Sequence, residues 1–153
     1  MAANLPDKKM IQFIRKHHLF TLATLNNGKP WTASCFYVFM EDSCEFIFTS
    51  GLHTLHGQNM VENQVVAGNI ALETKVIGRI QGIQFTGTVR KLSNDELKRA
   101  EKAYIKRFPV AMLMETVLWA IEVEMIKLTD NTLGFGKKLY WYKGSENAVK
   151  SGT

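Results

Sequence analysis

The sequence has little cysteine and no long apolar segment, and both absences restrict the class of protein. Its 153 residues include two cysteines, Cys35 and Cys44, which are too few for a disulfide framework and indicate a reducing compartment. Apolar stretches such as VLWAIEVEMIKL contain charged residues, and none approaches the ~20 apolar residues of a membrane-spanning helix. The N-terminus also lacks the apolar core of a secretory signal. We therefore expect a soluble, cytoplasmic protein with no membrane partner.

Charge of one sign is only in mild excess. Nineteen Lys and Arg residues against fourteen Asp and Glu residues give a net charge of +5. An excess of this size is common on solvated surfaces and does not by itself indicate a nucleic-acid partner. The basic residues are also not interleaved with aromatic residues along one strand, as an oligonucleotide-binding barrel requires. We therefore expect no nucleic-acid partner.

The N-terminal half of the sequence predicts one helix followed by a three-stranded meander. Apolar residues at helical spacing after Pro6 and Asp7 indicate a short amphipathic helix. LFTLATL and WTASCFYVFM are joined by the Asn-Gly of NNGKP, which is typical of a tight hairpin, and CEFIFTS predicts the third strand. Apolar residues stand on both alternating faces of the second strand, so we expect both of its faces to be covered.

The C-terminal half combines strands with one well-marked helix. IQFTGTVR alternates apolar and polar residues and predicts a strand whose polar face is available for a ligand or partner. SNDE at 93–96 predicts a capping box and a helix that ends before Pro109. In LWAIEVEMIKLTDN the alternation reverses at Met125 and Ile126, which predicts a β-bulge or a change of surroundings.

These elements define a fold class. A short helix over residues 52–63, the strands VVAGNIALE and KLYWYK, and a loose tail over residues 144–153 complete the pattern. Six to seven strands and about three helices in one domain over residues 1–153 predict an α+β protein built round a small, mostly antiparallel barrel.

The segment FTSGLHTLHGQNM, residues 48–60, admits a metal site as one interpretation. His53 and His56, together with Cys35 and Cys44, are candidate zinc ligands. Their spacing does not match structural zinc sites, because eight residues separate the cysteines and only two separate the histidines. We therefore expect no metal site, and buried strand positions are the simpler interpretation of the cysteines.

A phosphate site is the second interpretation of the same segment. Thr49 and Ser50 close a strand, Gly51 permits a bend, and the helix that follows would offer unpaired N–H groups to a phosphate. Simple capping of that helix by a hydroxyl remains the alternative. GFGKK at 134–138 matches neither a P-loop nor a dinucleotide fingerprint, so a binding loop and a bend with two solvated lysines both remain open.

The order of these elements resembles the FMN-binding split β-barrel family that includes pyridoxamine 5′-phosphate oxidase. The segments that carry the resemblance are FTLATLNNGKPWTASCFYVF, FIFTS, VVAGNI and IQFTGTVRKL, within residues 8–143. IGRIQGIQFTG, KRFPVA and TDNTLGFGKK are similar to a small bacterial branch, the YhbP-like proteins. The resemblance implies a split barrel and a homodimer that holds two FMN molecules at its interface.

The resemblance also implies cofactor-binding positions. By this resemblance, residues 33–36 of the second strand would lie along the isoalloxazine, and residues 48–50 at the end of the third strand would meet ribityl and phosphate. Gln84 stands near the position at which the family has a flavin-contacting glutamine. The family places Lys or Arg–Lys after the third strand, whereas Leu55 and His56 stand here, and no Lys or Arg occurs between Phe46 and Thr74. Lys137 and Lys138, or Arg79 and Arg90, would supply the missing charge. The candidate cofactor-binding residues are Ala33, Ser34, Cys35, Phe36, Phe48, Thr49, Ser50, His56, Gln84, Lys137 and Lys138.

We therefore expect an FMN-dependent oxidoreductase-like homodimer that acts on a small-molecule redox substrate, with no side chain assigned as catalytic. A non-catalytic flavin or heme carrier, or a barrel that has lost its cofactor, is the alternative, and a basic nucleic-acid-binding barrel is a third interpretation. The C-terminal KLYWYKGSENAVKSGT lacks the Arg-rich substrate motif of the oxidases that act on pyridoxine phosphate. That specific reaction is therefore not expected.

Overall fold

The computed structural model describes residues 4–113 and 117–145. Within these ranges three α-helices and seven strands follow in the order α1 (Lys8–Lys16), β1 (Leu19–Asn26), β2 (Lys29–Met40), β3 (Glu45–Thr49), α2 (Leu55–Glu62), β4 (Val65–Ala71), β5 (Gln81–Lys91), α3 (Asn94–Arg107), β6 (Leu118–Asp130) and β7 (Lys138–Tyr142). Short 3-10 turns lie at Ile77–Arg79, Pro109–Leu113 and Asn131–Leu133. Most of the tail predicted over residues 144–153 lies outside the described residues.

The seven strands form one antiparallel sheet in the order β3-β2-β1-β4-β5-β6-β7. The first half of β6 pairs with β3, from Leu118 to Glu122, which closes the sheet into a barrel. The second half of β6, from Met125 to Thr129, pairs instead with β7. Because one strand changes partner along its length, the barrel is split, as the resemblance to the split-barrel family implied.

The change of partner coincides with the predicted β-bulge. Thr86 of β5 pairs with Met125, whereas the next residue, Gly87, pairs with Val123, so Glu124 has no counterpart on β5. An extra residue of this kind bends the strand and increases its twist. The structure thus confirms the β-bulge that the reversal of alternation at Met125 and Ile126 predicted.

The barrel interior is filled by the inward apolar side chains of the strands. Phe46 lies near its centre, with ring centroids 4.5 Å from Phe85 and 5.6 Å from Phe20. Helix α1 contributes Met10, Phe13 and Ile14 to the same core. Because the interior is packed with side chains, a ligand of this protein must bind outside the barrel.

Helix α3 packs on the outer side of the sheet over β3 and forms a second apolar cluster there. It reaches Val38 and Met40 of β2 but leaves other outward residues of that strand open, with Phe36 56% exposed. The prediction that both faces of β2 are covered is therefore wrong within one protomer. The outer faces of β1, β4 and β5 are the uncovered part of the barrel.

Two local predictions about helix starts were also wrong in detail. The Ser93 side chain makes no capping hydrogen bond, and Glu96 instead forms an ion pair with Arg90 at 2.8 Å. A charge-assisted hydrogen bond to a guanidinium is stronger than the bond to a backbone N–H in a capping box, which explains why Glu96 binds Arg90. Helix α2 begins at Leu55 rather than at residue 52, because Thr54 is its N-cap.

Candidate functional site

Six residues on six adjacent strands lie side by side on the uncovered outer face of the sheet. Each is the direct cross-strand partner of the next. Neighbouring strands are ~4.8 Å apart, so the row is about 24 Å long. We call this row the outer strip, and its members in spatial order are Ser34, Thr21, Asn69, Gln84, Lys127 and Tyr140.

The outer strip carries hydrogen-bonding groups that the protomer itself does not use. Among the described residues, no side chain or backbone group hydrogen-bonds to the side chains of Ser34, Thr21, Asn69 and Gln84. At the far end of the strip, the Lys127 ammonium lies 5.9 Å from the centroid of the Tyr140 ring. The strip therefore presents neutral donors and acceptors followed by a cation to whatever covers it.

The candidate segment in β2 divides between the two faces of the sheet. Ser34 and Phe36 point outward and are exposed, and the Phe36 ring lies 5.4 Å from the ring of Phe108. Cys35 points into the barrel, where burial raises the pKa of its thiol to about 11. Ala33 is half-buried on that inner side. Only the backbone of Ala33 and Cys35 is therefore available to an external ligand.

The connection between β3 and α2 gathers hydroxyl and imidazole groups. Ser50 Oγ lies 2.6 Å from Nε2 of His56 and 3.3 Å from Oγ1 of Thr54. Thr54 accepts a hydrogen bond from the Gly57 backbone N–H at 3.0 Å and donates to the Gly51 carbonyl at 2.7 Å. We call Ser50, Thr54 and His56 the polar turn. Capping of α2 is thus performed by Thr54, which frees Ser50 for the contact with His56.

The other candidate residues of β3 are engaged elsewhere. Phe48 is fully buried and its ring packs 5.4 Å from that of Phe20. Thr49 Oγ1 lies 3.3 Å from the Tyr104 hydroxyl on α3. Ser50 also holds its strand end through its carbonyl, which accepts a hydrogen bond from Trp119 Nε1 at 3.0 Å. Of the three candidate residues at the end of β3, only Ser50 belongs to the polar turn.

Burial lowers the pKa of His56. The neutral imidazole is therefore favoured in the free protein, because a charged ring would lose hydration at this half-buried position. The polar turn as it stands offers an anion the Ser50 hydroxyl and one neutral ring, because the Thr54 hydroxyl proton is donated to the Gly51 carbonyl.

The structure separates the two lysines of the glycine-rich bend. Lys138 begins β7 and shares the outer face with Tyr140, whereas Lys137 is exposed in the loop before it. Both lysines lie near Gln81, the first residue of β5. The polar turn lies near the last residue of β5, Lys91, which pairs with Trp119. The structure therefore places neither lysine beside the polar turn of its own protomer.

Four members of the outer strip were missed from the sequence. Thr21, Asn69, Lys127 and Tyr140 stand on strands whose outward faces contain ordinary polar or aromatic residues. Gln84 was identified because its strand alternates clearly. The reversal of alternation in β6 was a signal that Lys127 lies on the outer face. Its position beside Gln84 and Tyr140 could not be predicted, because it depends on the order of the strands in the sheet.

The described residues contain no group of three or more His, Cys, Asp and Glu side chains placed to hold a metal ion. In that part of the chain, no helix combines the length and the apolar character that crossing a membrane would require.

A comparison with protein-family models identifies the chain. The model described as pyridoxamine 5′-phosphate oxidase matches residues 6–130. The chain belongs to this family. Among curated relatives, UPF0306 protein plu4501 of Photorhabdus laumondii is 43% identical over 132 residues, which cover 86% of this chain and 92% of the relative. A UPF0306 protein of Klebsiella pneumoniae is 42% identical over 139 residues, covering 90% of this chain and 95% of the relative.

Solved structures with the same fold share little sequence. A heme binding protein from Mycobacterium smegmatis aligns with a TM-score of 0.72 at 18% identity over 85% of this chain, which spans 55% of that protein. A FAD-binding protein from Mesorhizobium loti gives 0.64 at 14% identity, with 82% of this chain and 96% of that protein covered. HutZ, a heme storage protein from Vibrio cholerae, gives 0.60 at 14% identity, with 77% and 89% covered. These likenesses establish the split-barrel fold.

Proposed function

We propose that this protein binds FMN as a homodimer and uses it for hydride or electron transfer with a small-molecule substrate. The observation that carries the proposal is the outer strip, in which four adjacent side chains have no hydrogen-bond partner among the described residues. Polar groups of this kind need partners once a second surface covers them. A flavin ring, with carbonyl and N–H groups along one edge, is a suitable partner.

The residues present fit the two ends of FMN. Ser34 and Gln84 offer donors and acceptors to the ring edge, and Lys127 offers a positive charge beside them. At the phosphate end, Ser50 offers a hydroxyl, and His56 offers a proton when it is charged. Bound FMN would supply the redox chemistry, and the protein would supply position, electrostatics and exclusion of water.

The open geometry of the strip supports a site that a second copy of the chain covers. Exposed Ser34, Phe36 and Gln84 lie on a sheet face rather than in a cleft, whereas cofactor sites are concave. Among the residues of β6, Lys127 lies towards one end of the strand, and Glu122 and Glu124 lie towards the other. A two-fold axis perpendicular to the strands would place unlike charges of the two copies together.

A non-catalytic flavin or heme carrier is the second candidate. The heme-binding and FAD-binding proteins that share this fold support it, because binding or storing a cofactor does not require turnover. A bound cofactor together with absence of turnover with reduced nicotinamide nucleotides would favour the carrier.

The test is the absorbance spectrum of the purified protein before and after addition of FMN. We expect flavin bands that remain with the protein through gel filtration, and an affinity for FMN that falls in Gln84→Ala. Gln12→Ala, which changes an exposed glutamine on α1, is the matched control. Retained heme bands would favour the carrier, and no uptake of either cofactor would contradict the proposal.

A further inference from the structure

A cavity of about 440 Å³ opens between α2 and the last residues of β5. Its floor is formed by the buried side chains of Met60, Val89 and Trp119, each at most 2% exposed. Leu52 and Val61 form its mouth and are 44% and 60% exposed. We call this space the α2 cavity. Its volume lies within the ~300–1,000 Å³ range of small-molecule sites, and its walls are mainly apolar, as they are in such sites.

Two hydrogen bonds hold the walls of the α2 cavity in place. The Trp119 indole N–H donates to the Ser50 carbonyl at 3.0 Å, which fixes the ring. The Val89 backbone N–H donates to the Gln64 carbonyl at 2.9 Å, which ties the segment after α2 to β5. The cavity is therefore preformed, and little of the free energy of binding would be lost in ordering its walls.

The α2 cavity carries positive charge, and one side chain supplies it. Arg90 also borders the cavity, but its guanidinium is ion-paired with Glu45 at 2.6 Å and with Glu96 at 2.8 Å. Lys91 is exposed at the rim and takes part in no ion pair within the described residues. No Asp or Glu is among the described residues that line this space. The uncompensated charge is therefore that of the lysine.

Gln64 adds a neutral polar group to the same cavity. Its side-chain amide is exposed, and no group in the described part of the chain hydrogen-bonds to it. One ammonium and one amide suit a singly charged acid group, because both can donate to carboxylate oxygens. A doubly charged phosphate would need a further cation. Since the remaining walls are apolar, the body of the ligand should be apolar as well.

A neighbouring space shows the opposite charge and serves as an internal comparison. It shares Leu52 and Val61 with the α2 cavity, and its other lining residues are Asn26, Asn27, Gln58 and Glu62. The Glu62 carboxylate would repel an anion there. An apolar anion therefore favours the α2 cavity over the space beside it.

We propose that the α2 cavity binds a small apolar carboxylate, with its apolar body against Met60, Val61 and Trp119 and its carboxylate held by Lys91 and Gln64. Charge complementarity selects this ligand class, because the lysine is the one uncompensated charge among the described lining residues. The cavity shares no lining residue with the outer strip or the polar turn, so this inference does not rest on the proposed function.

Titration with a matched acid and amide tests this site. The probes are naphthylacetate and the neutral naphthylacetamide, which share one apolar body and differ in charge. The protein has three tryptophans, Trp31, Trp119 and Trp141, and an isotope-labelled sample gives one indole N–H resonance for each in an NMR spectrum. Trp119→Phe identifies the resonance of Trp119. We expect naphthylacetate to shift this resonance saturably and to bind about 10-fold more tightly than the amide, because of one charge-assisted contact.

Four variants locate the probe. Lys91→Met should make the acid and the amide bind equally, whereas Lys98→Met, exposed on α3, should keep the preference for the acid. Val61→Trp, which fills the mouth of the α2 cavity, should abolish the shift. Gln58→Trp, the same addition on the same helix but in the neighbouring space, should preserve it. The backbone amide spectrum of every variant verifies that it is folded.

Three results would overturn the inference. Equal affinity of the wild type for the acid and the amide would remove Lys91 from the site. Binding that survives Val61→Trp, or that is lost in Gln58→Trp, would place the probe outside the α2 cavity. A Trp119 resonance that shifts with protein concentration in the absence of probe would mean that a second copy of the chain covers the cavity. These titrations contain no FMN, so each of these results leaves the proposed function in place.

Discussion

The Ser50 hydroxyl lies 2.6 Å from Nε2 of His56, and this contact joins the end of β3 to the first turn of α2. The resemblance to the FMN-binding split barrels implies a lysine or arginine at this point of the chain, whereas His56 supplies a titratable ring. Because burial lowers the pKa of His56, the free protein keeps this ring neutral near pH 7. The polar turn is thereby made sensitive to pH.

We expect FMN to bind more tightly as the pH falls. The pKa of His56 is below its ordinary value of 6.5 in the free protein, and a bound phosphate would raise it. Binding is therefore coupled to proton uptake between these two pKa values, and FMN affinity should be higher at pH 6 than at pH 8. Fluorescence quenching of FMN at both values measures this effect.

Substitution of His56 identifies the group responsible for the pH effect. His56→Lys should remove the dependence and strengthen binding at pH 8, whereas His53→Gln, in the adjacent exposed position, should preserve it. Riboflavin, which lacks the phosphate, should bind equally at both values. Equal behaviour of FMN and riboflavin at the two pH values would contradict a phosphate at the polar turn.

Lysine substitutions distinguish the ring end from the phosphate end of the cofactor. Lys137→Ala combined with Lys138→Ala should weaken FMN binding by about 1–3 kcal/mol and leave riboflavin unaffected, if these lysines meet phosphate. Lys127→Met should weaken both ligands, because Lys127 lies beside Gln84 in the outer strip. Lys98→Ala, exposed on α3, is the control in the same titrations.

A charge placed on the uncovered sheet face should prevent dimerisation. Thr86 lies on the outer face of β5, opposite Ala67 of β4, in the middle of the proposed interface. Wild-type protein should sediment at about twice 17.4 kDa, and Thr86→Arg should sediment as a monomer with an unchanged circular dichroism spectrum. A wild-type monomer at micromolar concentration would argue against a shared site.

Arg107 of α3 should stabilise the fold by binding backbone carbonyls. Its guanidinium donates to the carbonyls of Tyr37 at 3.0 Å and Arg15 at 3.2 Å, and also to that of His17. Arg107→Met should lower the free energy of unfolding by about 1.5–3 kcal/mol, because bonds from a charged donor are lost at the C-terminus of α1. Urea denaturation measures the change, and Lys106→Met on the exposed side should have little effect.

Gly87 should be intolerant of a side chain. A Cβ there would lie 2.4 Å from the Glu122 carbonyl oxygen and 2.7 Å from an Ile121 methyl. Gly87→Ala should therefore lower the free energy of unfolding by about 1–3 kcal/mol in a urea melt. Gly78→Ala is the contrasting variant, because a Cβ there meets nothing within 4 Å and should leave the melt nearly unchanged.

Local patterns in the sequence were sufficient for the elements and the fold class. The alternation of IQFTGTVR and the Asn-Gly turn after LFTLATL predicted β5 and the β1–β2 hairpin, because side-chain periodicity and turn geometry are local properties. The reversal at Met125 even predicted the bulge at which β6 changes partner. The capping box of Ser93 and Glu96 at the start of α3 was predicted wrongly, since the partner of Glu96, Arg90, lies outside the helix.

Only the tertiary structure decided which polar residues share a surface. Ser34 and Lys127 are 93 positions apart in the sequence, since 127 − 34 = 93, yet strand order and register place them in one row. This row depends on four pairings among five strands, and a shift of one residue in β4 or β5 would turn Asn69 or Gln84 into the core. The sequence by itself determined that one sheet face is polar, whereas the closure of the barrel and the position of α3 determined which part of that face remains open.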